Sequence, residues 1–292
     1  MIDIVEATTA QEALTHLDGN PKFISTCPAA ELQDRAGDLT EGAFDFCGTL
    51  VTGSQWRSLE ALLPPESQQR GTDNINWIQE HRNGRLLEGG SLEDPDWFLG
   101  HIHPGNLDAA DAALALIPIM LAEMAGVTIK AVEAAGAALP MREGADHLLN
   151  LFKDRTIVSF GIEQMIYAWL KQHDIKMTAV ATRLGEDDNG CVQGCLLNMV
   201  IASTKPLVVD RFRAITGSSP AQTLIIGDTI FDADMMQEGT FNVLIIPPAE
   251  ADKKLAGFRN GTLSHMWDKL TAILYSDSLM PLVELIELGR SR

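Results

Sequence analysis

Short apolar runs punctuate the chain and read as buried strands: GAFDF (42–46), RTIVSF (155–160), KMTAVAT (176–182), QTLIIGD (222–228) and FNVLIIP (241–247). Between them, apolar residues recur at helical spacing in GADHLLNLFKD (144–154), EQMIYAWLKQH (163–173) and KPLVVDRFRAIT (205–216). Apolar strands alternating with amphipathic helices predict an α/β fold, a parallel sheet covered on both faces. Such sheets bind ligands beyond the carboxyl ends of their strands, where loops from different strands converge.

Residues 55–143 break this rhythm. They run through EALLPPESQQRGTDNINWIQEHRNGRLLEGG to an Ala-rich helical stretch ending near KAVEAAGAALP. The pattern predicts a mostly helical insert at the ligand-bearing edge, either a cap over the site or a second subdomain, with Arg57, Arg70, Arg82, Arg85, His101 and His103 available to an anionic substrate. Asn189-Gly190, flanked by strand-like residues in RLGEDDNGCVQGCLLNMVI, predicts a hairpin. KFIST adds a strand within the first forty residues, and MWDKLTAILYSDSLMPLVELIEL reads as helical. The expected division is therefore an N-terminal extension (1–40), a core (41–54 and 144–250), a helical cap (55–143) and a C-terminal helical segment packed on the core (251–292).

Composition narrows the partners. With 46% hydrophobic and 21% charged residues the chain is of ordinary globular type. Its formal charge of -18, from 40 acidic against 22 basic residues, repels nucleic acid and anionic membrane surfaces, so neither is expected as a partner. ALALIPIMLAEMAGV is interrupted by Pro118 and Glu123 and is too short for a membrane span. No secretory signal is visible, and four sparse cysteines (Cys27, Cys47, Cys191, Cys195) form no disulfide framework or zinc set, so a reduced, cytoplasmic setting is expected. The apolar C-terminal helix offers a surface for a homodimer.

Polar residues gather at the predicted strand ends. Asp45 precedes Gly48-Thr49, Ser159 closes TIVS, Lys205 starts a helix after IAST, and Asp228 closes LIIGD with Asp232 one helical turn on. Alone, each is an ordinary helix cap or solvated charge; together they suit phosphoryl transfer through an aspartyl-phosphate. A carboxylate attacks phosphorus without prior deprotonation, and a lysine and a magnesium ion offset the repulsion between the two anions. Mg2+ takes oxygen ligands, here Asp45, the Cys47 backbone carbonyl and Asp228, with Asp232 ligating directly or through a water. Ser159 would donate to a phosphoryl oxygen and Lys205 would bridge nucleophile and phosphate.

The set DFCGTLV, IVSFG, STK and GDTIFD resembles the four motifs of the haloacid dehalogenase-like (HAD) hydrolase superfamily, across residues 43–54 and about 145–247. ATRLGEDDNGCVQG…STK further resembles its phosphoserine-phosphatase-like branch. The resemblance implies a Rossmann-like three-layer α/β/α core with a helical C1-type cap. It also implies a phosphatase of a small phosphorylated metabolite, with Thr49, Phe160 and Gly161 at the substrate. Phe160-Gly161 stands where the branch has a glycine pair, and Cys47 stands where most of its phosphatases carry a general-acid Asp. The thiol leaves three outcomes open: a substrate with a good leaving group, a slow phosphoenzyme suited to transfer, or a slow phosphatase. A weakened member with a binding or regulatory role, and phosphonate- or halide-cleaving relatives, are the alternatives; the only lysine of the insert is Lys130.

Overall fold

The structure, a computed structural model, describes residues 2–69, 123–198, 200, 204–229, 232–251 and 266–292. Nine strands among these residues form one mixed sheet in the order β1-β2-β9-β8-β7-β3-β4-β5-β6. The centre is parallel: β3 (Glu41–Phe44), β4 (Asp154–Ile162), β5 (Thr178–Glu186), β7 (Thr223–Gly227), β8 (Phe241–Ile246) and β9 (Ala272–Tyr275). At one edge β6 (Val192–Asn198) pairs antiparallel with β5 through the predicted hairpin. Gly190 adopts φ +77° there, and Asp187 Oδ1 accepts from the backbone N–H of Asn189 and Cys191. At the other edge β2 (Phe23–Ser25) runs antiparallel to β9 and parallel to β1 (Ile4–Glu6).

Both faces of the sheet are covered, which is why its strands read as near-continuous apolar runs. Successive residues feed opposite cores. Leu224, Ile226, Val243 and Ile245 join one cluster with Leu32, Leu148, Met165, Trp169 and Leu282; Ile225 and Leu244 join another with Ala13, Val209, Met235 and Trp267. Helices α2 (Ala29–Gly37), α4 (Ile129–Ala137), α5 (Ala145–Asn150), α6 (Glu163–Gln172) and α8 (Met280–Arg290) supply the first cluster. Helices α1 (Ala10–His16) and α7 (Lys205–Thr216) lie with the second, and α3 (Gln55–Glu60) follows the β3 loop. This is a three-layer α/β/α, Rossmann-like arrangement.

Two readings of the chain ends change. Residues 272–275, read as part of a helix, form strand β9 between β2 and β8, and only α8 remains helical beyond them. A four-residue apolar run such as AILY carries no period that separates strand from helix. The first forty residues enter the sheet through β1 and β2. Of the insert, residues 55–69 and 123–143 are described. Its last helix, α4, lies against α6 closely enough that a Cβ on Gly136 would fall 2.4 Å from Met165 Cα. Arg70, Arg82, Arg85, His101 and His103 lie outside the described residues, as does Ser203 of the STK motif. Among the described residues no helix is long and apolar enough to cross a membrane.

The position of β3 fixes where chemistry can occur. After β3 the chain builds outward through β4, β5 and β6, then returns to the other side of β3 with β7. By the general rule for such sheets, this reversal sets the candidate site at the carboxyl end of β3, flanked by the ends of β4 and β7.

Candidate active site

Strand β3 ends at Phe44, and the next residue, Asp45, donates its backbone N–H to Ile226 of β7 (2.9 Å). Asp45 is thereby held beside the loop that carries Asp228 and Asp232. Beneath it, Phe46 meets Trp169 edge-on, ring centroids 5.1 Å apart. The chain then turns tightly: Thr49, Leu50 and Val51 all donate to the Phe46 carbonyl. Gly48 is required at this turn twice over. Its φ of +75° is a left-handed conformation that side chains resist, and a Cβ there would lie 2.1 Å from Asp228 Oδ2.

Lys205 begins α7 and is fully buried. Its Nζ donates to Asp45 Oδ1 at 2.8 Å and to Asp232 Oδ1 at 2.5 Å. The other oxygen of Asp232 accepts from the backbone N–H groups of Asp228 and Thr229 and from the Thr229 hydroxyl, which ties down the loop after β7. Ligand oxygens of Asp45, Asp228 and Asp232 lie within 4.8 Å of one another, and all three residues are buried. The ammonium of Lys205 sets one positive charge against three carboxylates. Burial, then the neighbouring Asp232 charge, pushes Asp45 up to about 7, with Lys205 pulling the other way. Burial acts in the opposite direction on Lys205, lowering it, but the Asp232 and Asp45 carboxylates outweigh it and hold the ammonium above its usual range. An all-oxygen set with surplus negative charge suits a hard divalent cation.

The third wall comes from β4. Its pairing with β5 shifts between Val158 and Ile162, because Val158 faces Val180 while Ile162 faces Thr182. Ser159, Phe160 and Gly161 bulge out of the ladder at the point where the strand meets the site. Ser159, expected to close the strand, lies inside it, buried, with its Oγ accepting from the Gly161 N–H at 3.1 Å. Phe160 packs against Trp56 (centroids 5.5 Å) and its carbonyl accepts from Thr182 Oγ1.

Two side chains that sequence reasoning missed hold these walls together. Gln55, fully buried, accepts from Ile162 N–H through Oε1 (3.0 Å) and donates through Nε2 to the Ile162 carbonyl (3.2 Å). The same Oε1 accepts from Cys47 Sγ at 3.5 Å. Gly161 packs so tightly here that a Cβ would sit 1.5 Å from Gln55 Oε1. Arg142, also buried, donates to the carbonyls of Gly48, Thr49 and Asp277, fastening the turn to the C-terminal part of the chain. Neither residue belongs to a spacing pattern; a polar residue expected at the start of a helix (Gln55) carries no mark of burial.

Asp45, Lys205, Asp228 and Asp232 meet, and Cys47 and the Ser159–Gly161 bulge stand beside them, joined through Gln55. Burial, then the Asp45 charge, pushes the half-buried Cys47 thiol well above its ordinary range, so it stays protonated at neutral pH. Thr49, expected at the substrate, is sealed inside the turn with its hydroxyl unpartnered.

No protein-family model and no curated protein matches the sequence. Solved structures do match. A HAD family hydrolase from Salmonella enterica serovar Typhi aligns over 73% of this chain and 65% of its own, at 14% identity and a TM-score of 0.54. A phosphoserine phosphatase solved as a phospho-aspartyl intermediate analogue aligns over 85% and 99%, at 16% identity and 0.57. Cytosolic 5'-nucleotidase IIIB bound to cytidine aligns over 97% and 99%, at 14% identity and 0.61. What these likenesses establish is the fold.

Proposed function

We propose that this chain, built on the haloacid dehalogenase-like fold, is a magnesium-dependent phosphohydrolase of a small phosphorylated metabolite. The observation that carries the reading is the Lys205 ammonium held between Asp45 and Asp232, with Asp228 beside them: three segments distant in sequence converge on one buried carboxylate. The phospho-aspartyl state of the similar phosphoserine phosphatase agrees with Asp45 as nucleophile.

The residues would divide the work as follows. Asp45 attacks phosphorus with one carboxylate oxygen, and Lys205 keeps the other aligned and offsets the charge of the incoming phosphoryl group. Ser159, at the bulge of β4, would turn its hydroxyl proton to a phosphoryl oxygen while its Oγ accepts from the Gly161 N–H. Asp45, the Cys47 carbonyl and Asp228 would hold the magnesium ion. Asp232 already spends both oxygens on Lys205 and the loop backbone, which favours contact through a water. Bound there, magnesium supplies charge neutralisation between the nucleophile and the phosphate. Cys47 occupies the position of the leaving-group acid and is a poor substitute for a carboxylic acid.

Asp45→Asn tests the reading. Turnover with magnesium should fall to background while the melting temperature stays at or above that of the wild type, since the change removes a buried charge. Retained activity would point to another nucleophile. A binding or regulatory role finds support in Cys47 alone; the intact Asp45, Lys205, Asp228 and Asp232 set argues against it.

A further inference from the structure

The side chain that the proposed function sets at the leaving group is turned towards the protein. Cys47 has one proton to give, and its Sγ is directed at Gln55 Oε1, 3.5 Å away. That oxygen cannot swing aside. The Gln55 carboxamide is fixed at both ends by the Ile162 backbone, at 3.0 and 3.2 Å, and Gly161 closes over it. Gln55 therefore acts as a positioning residue, engaging the thiol in a contact on the core side. Sulfur is in any case a weak donor. An alkyl ester, whose alkoxide must be protonated as it departs, finds no adequate acid at residue 47.

We propose that the substrates are phosphoanhydrides, acyl phosphates or diphosphates, whose leaving groups depart as stabilised anions without a proton; this rests on the phosphohydrolase reading above. In the first step an Asp45 oxygen forms a bond to phosphorus as the bond to the leaving oxygen breaks. The electron pair goes to that oxygen, which leaves as a carboxylate or phosphate anion. In the second, the oxygen of a water molecule bonds to phosphorus and the Asp45 O–P bond breaks, its electron pair returning to the carboxylate. The water protons pass to inorganic phosphate and solvent. Neither step draws a proton from residue 47.

The test compares kcat/KM for acetyl phosphate, inorganic pyrophosphate and glycerol 2-phosphate in magnesium buffer, for the wild type and Cys47→Asp. A general acid contributes about 100-fold or more to expulsion of a poor leaving group. The wild type should therefore prefer one of the anhydrides to the alkyl ester by at least about 100-fold, and the better anhydride distinguishes an acyl from a diphosphate substrate. Cys47→Asp should narrow that preference at least about tenfold by raising the alkyl ester rate. A wild-type preference below about tenfold, or an unchanged preference in folded Cys47→Asp, overturns the proposal. Should Cys47→Asp not fold, the wild-type ratio decides. Turnover of none of the three, with no phosphorylation of Asp45 by acetyl phosphate, overturns the phosphohydrolase reading itself.

Discussion

Gln55 makes three hydrogen bonds from a position with no contact to solvent, and it joins two segments that are over a hundred residues apart in the chain. Gln55→Leu keeps the bulk but strands the N–H and carbonyl of Ile162, each at a cost of about 1–3 kcal/mol when buried. The expected loss is about 2–6 kcal/mol for the two groups, read from denaturant unfolding. Orthovanadate affinity should fall at least about tenfold, because the Ser159–Gly161 bulge loses its clamp. A destabilised variant with unchanged vanadate affinity would reduce Gln55 to packing. At this scale the sequence was informative about charges and silent about their supports. Asp45, Lys205, Asp228 and Asp232 stand out only as a set, since each alone passes for a helix cap or a solvated charge. Gln55 and Arg142 look like any polar residue until burial is known.

At the scale of elements, the amphipathic periods and most of the short apolar runs, KFIST (β2) and GAFDF (β3) among them, match the structure. Helices α6 and α7 coincide with the amphipathic stretches that predicted them, and β7 and β8 with their apolar runs. AILY misleads because four residues show no period, and the bulge in β4 leaves no mark in the sequence because a register shift depends on the partner strand. Helix α8 offers a test of packing. A Cβ on Gly289 would lie 2.3 Å from Gln33 O and 2.5 Å from Gly37 N, both backbone atoms of α2 that cannot turn away. Gly289→Ala gains up to about 1 kcal/mol of helix propensity but forces the helices apart at about 1–3 kcal/mol. Net destabilisation is expected, larger for Gly289→Val. A raised melting temperature for Gly289→Ala would mean the two helices separate easily.

For the whole molecule, the charge of -18 and the carboxylate cluster predict a stability that responds to pH and, under the proposed function, to magnesium. In metal-free protein Asp45 is raised from an ordinary 3.8 to about 7. Between those values the native state binds more protons than the unfolded chain, so stability should fall as pH rises through that window. EDTA-treated protein should melt at a higher temperature at pH 5 than at pH 7.5, from this group. Adding magnesium at pH 7.5 should restore much of the difference through preferential binding to the folded state. Equal melting curves with EDTA and with magnesium would remove the cation from the site.

Strand β2 has two neighbours, β1 from its own end of the chain and β9 from the other, with Ile24 opposite Ile273. During synthesis on the ribosome the first forty residues therefore emerge early and must wait for the last thirty before they can dock. Pairings of such long range are slow to form, and until β9 arrives the flank of β8 is an open template for other chains. A product terminated at residue 250 should leave its first forty residues open to limited proteolysis and should aggregate, whereas the full-length chain should resist on both counts.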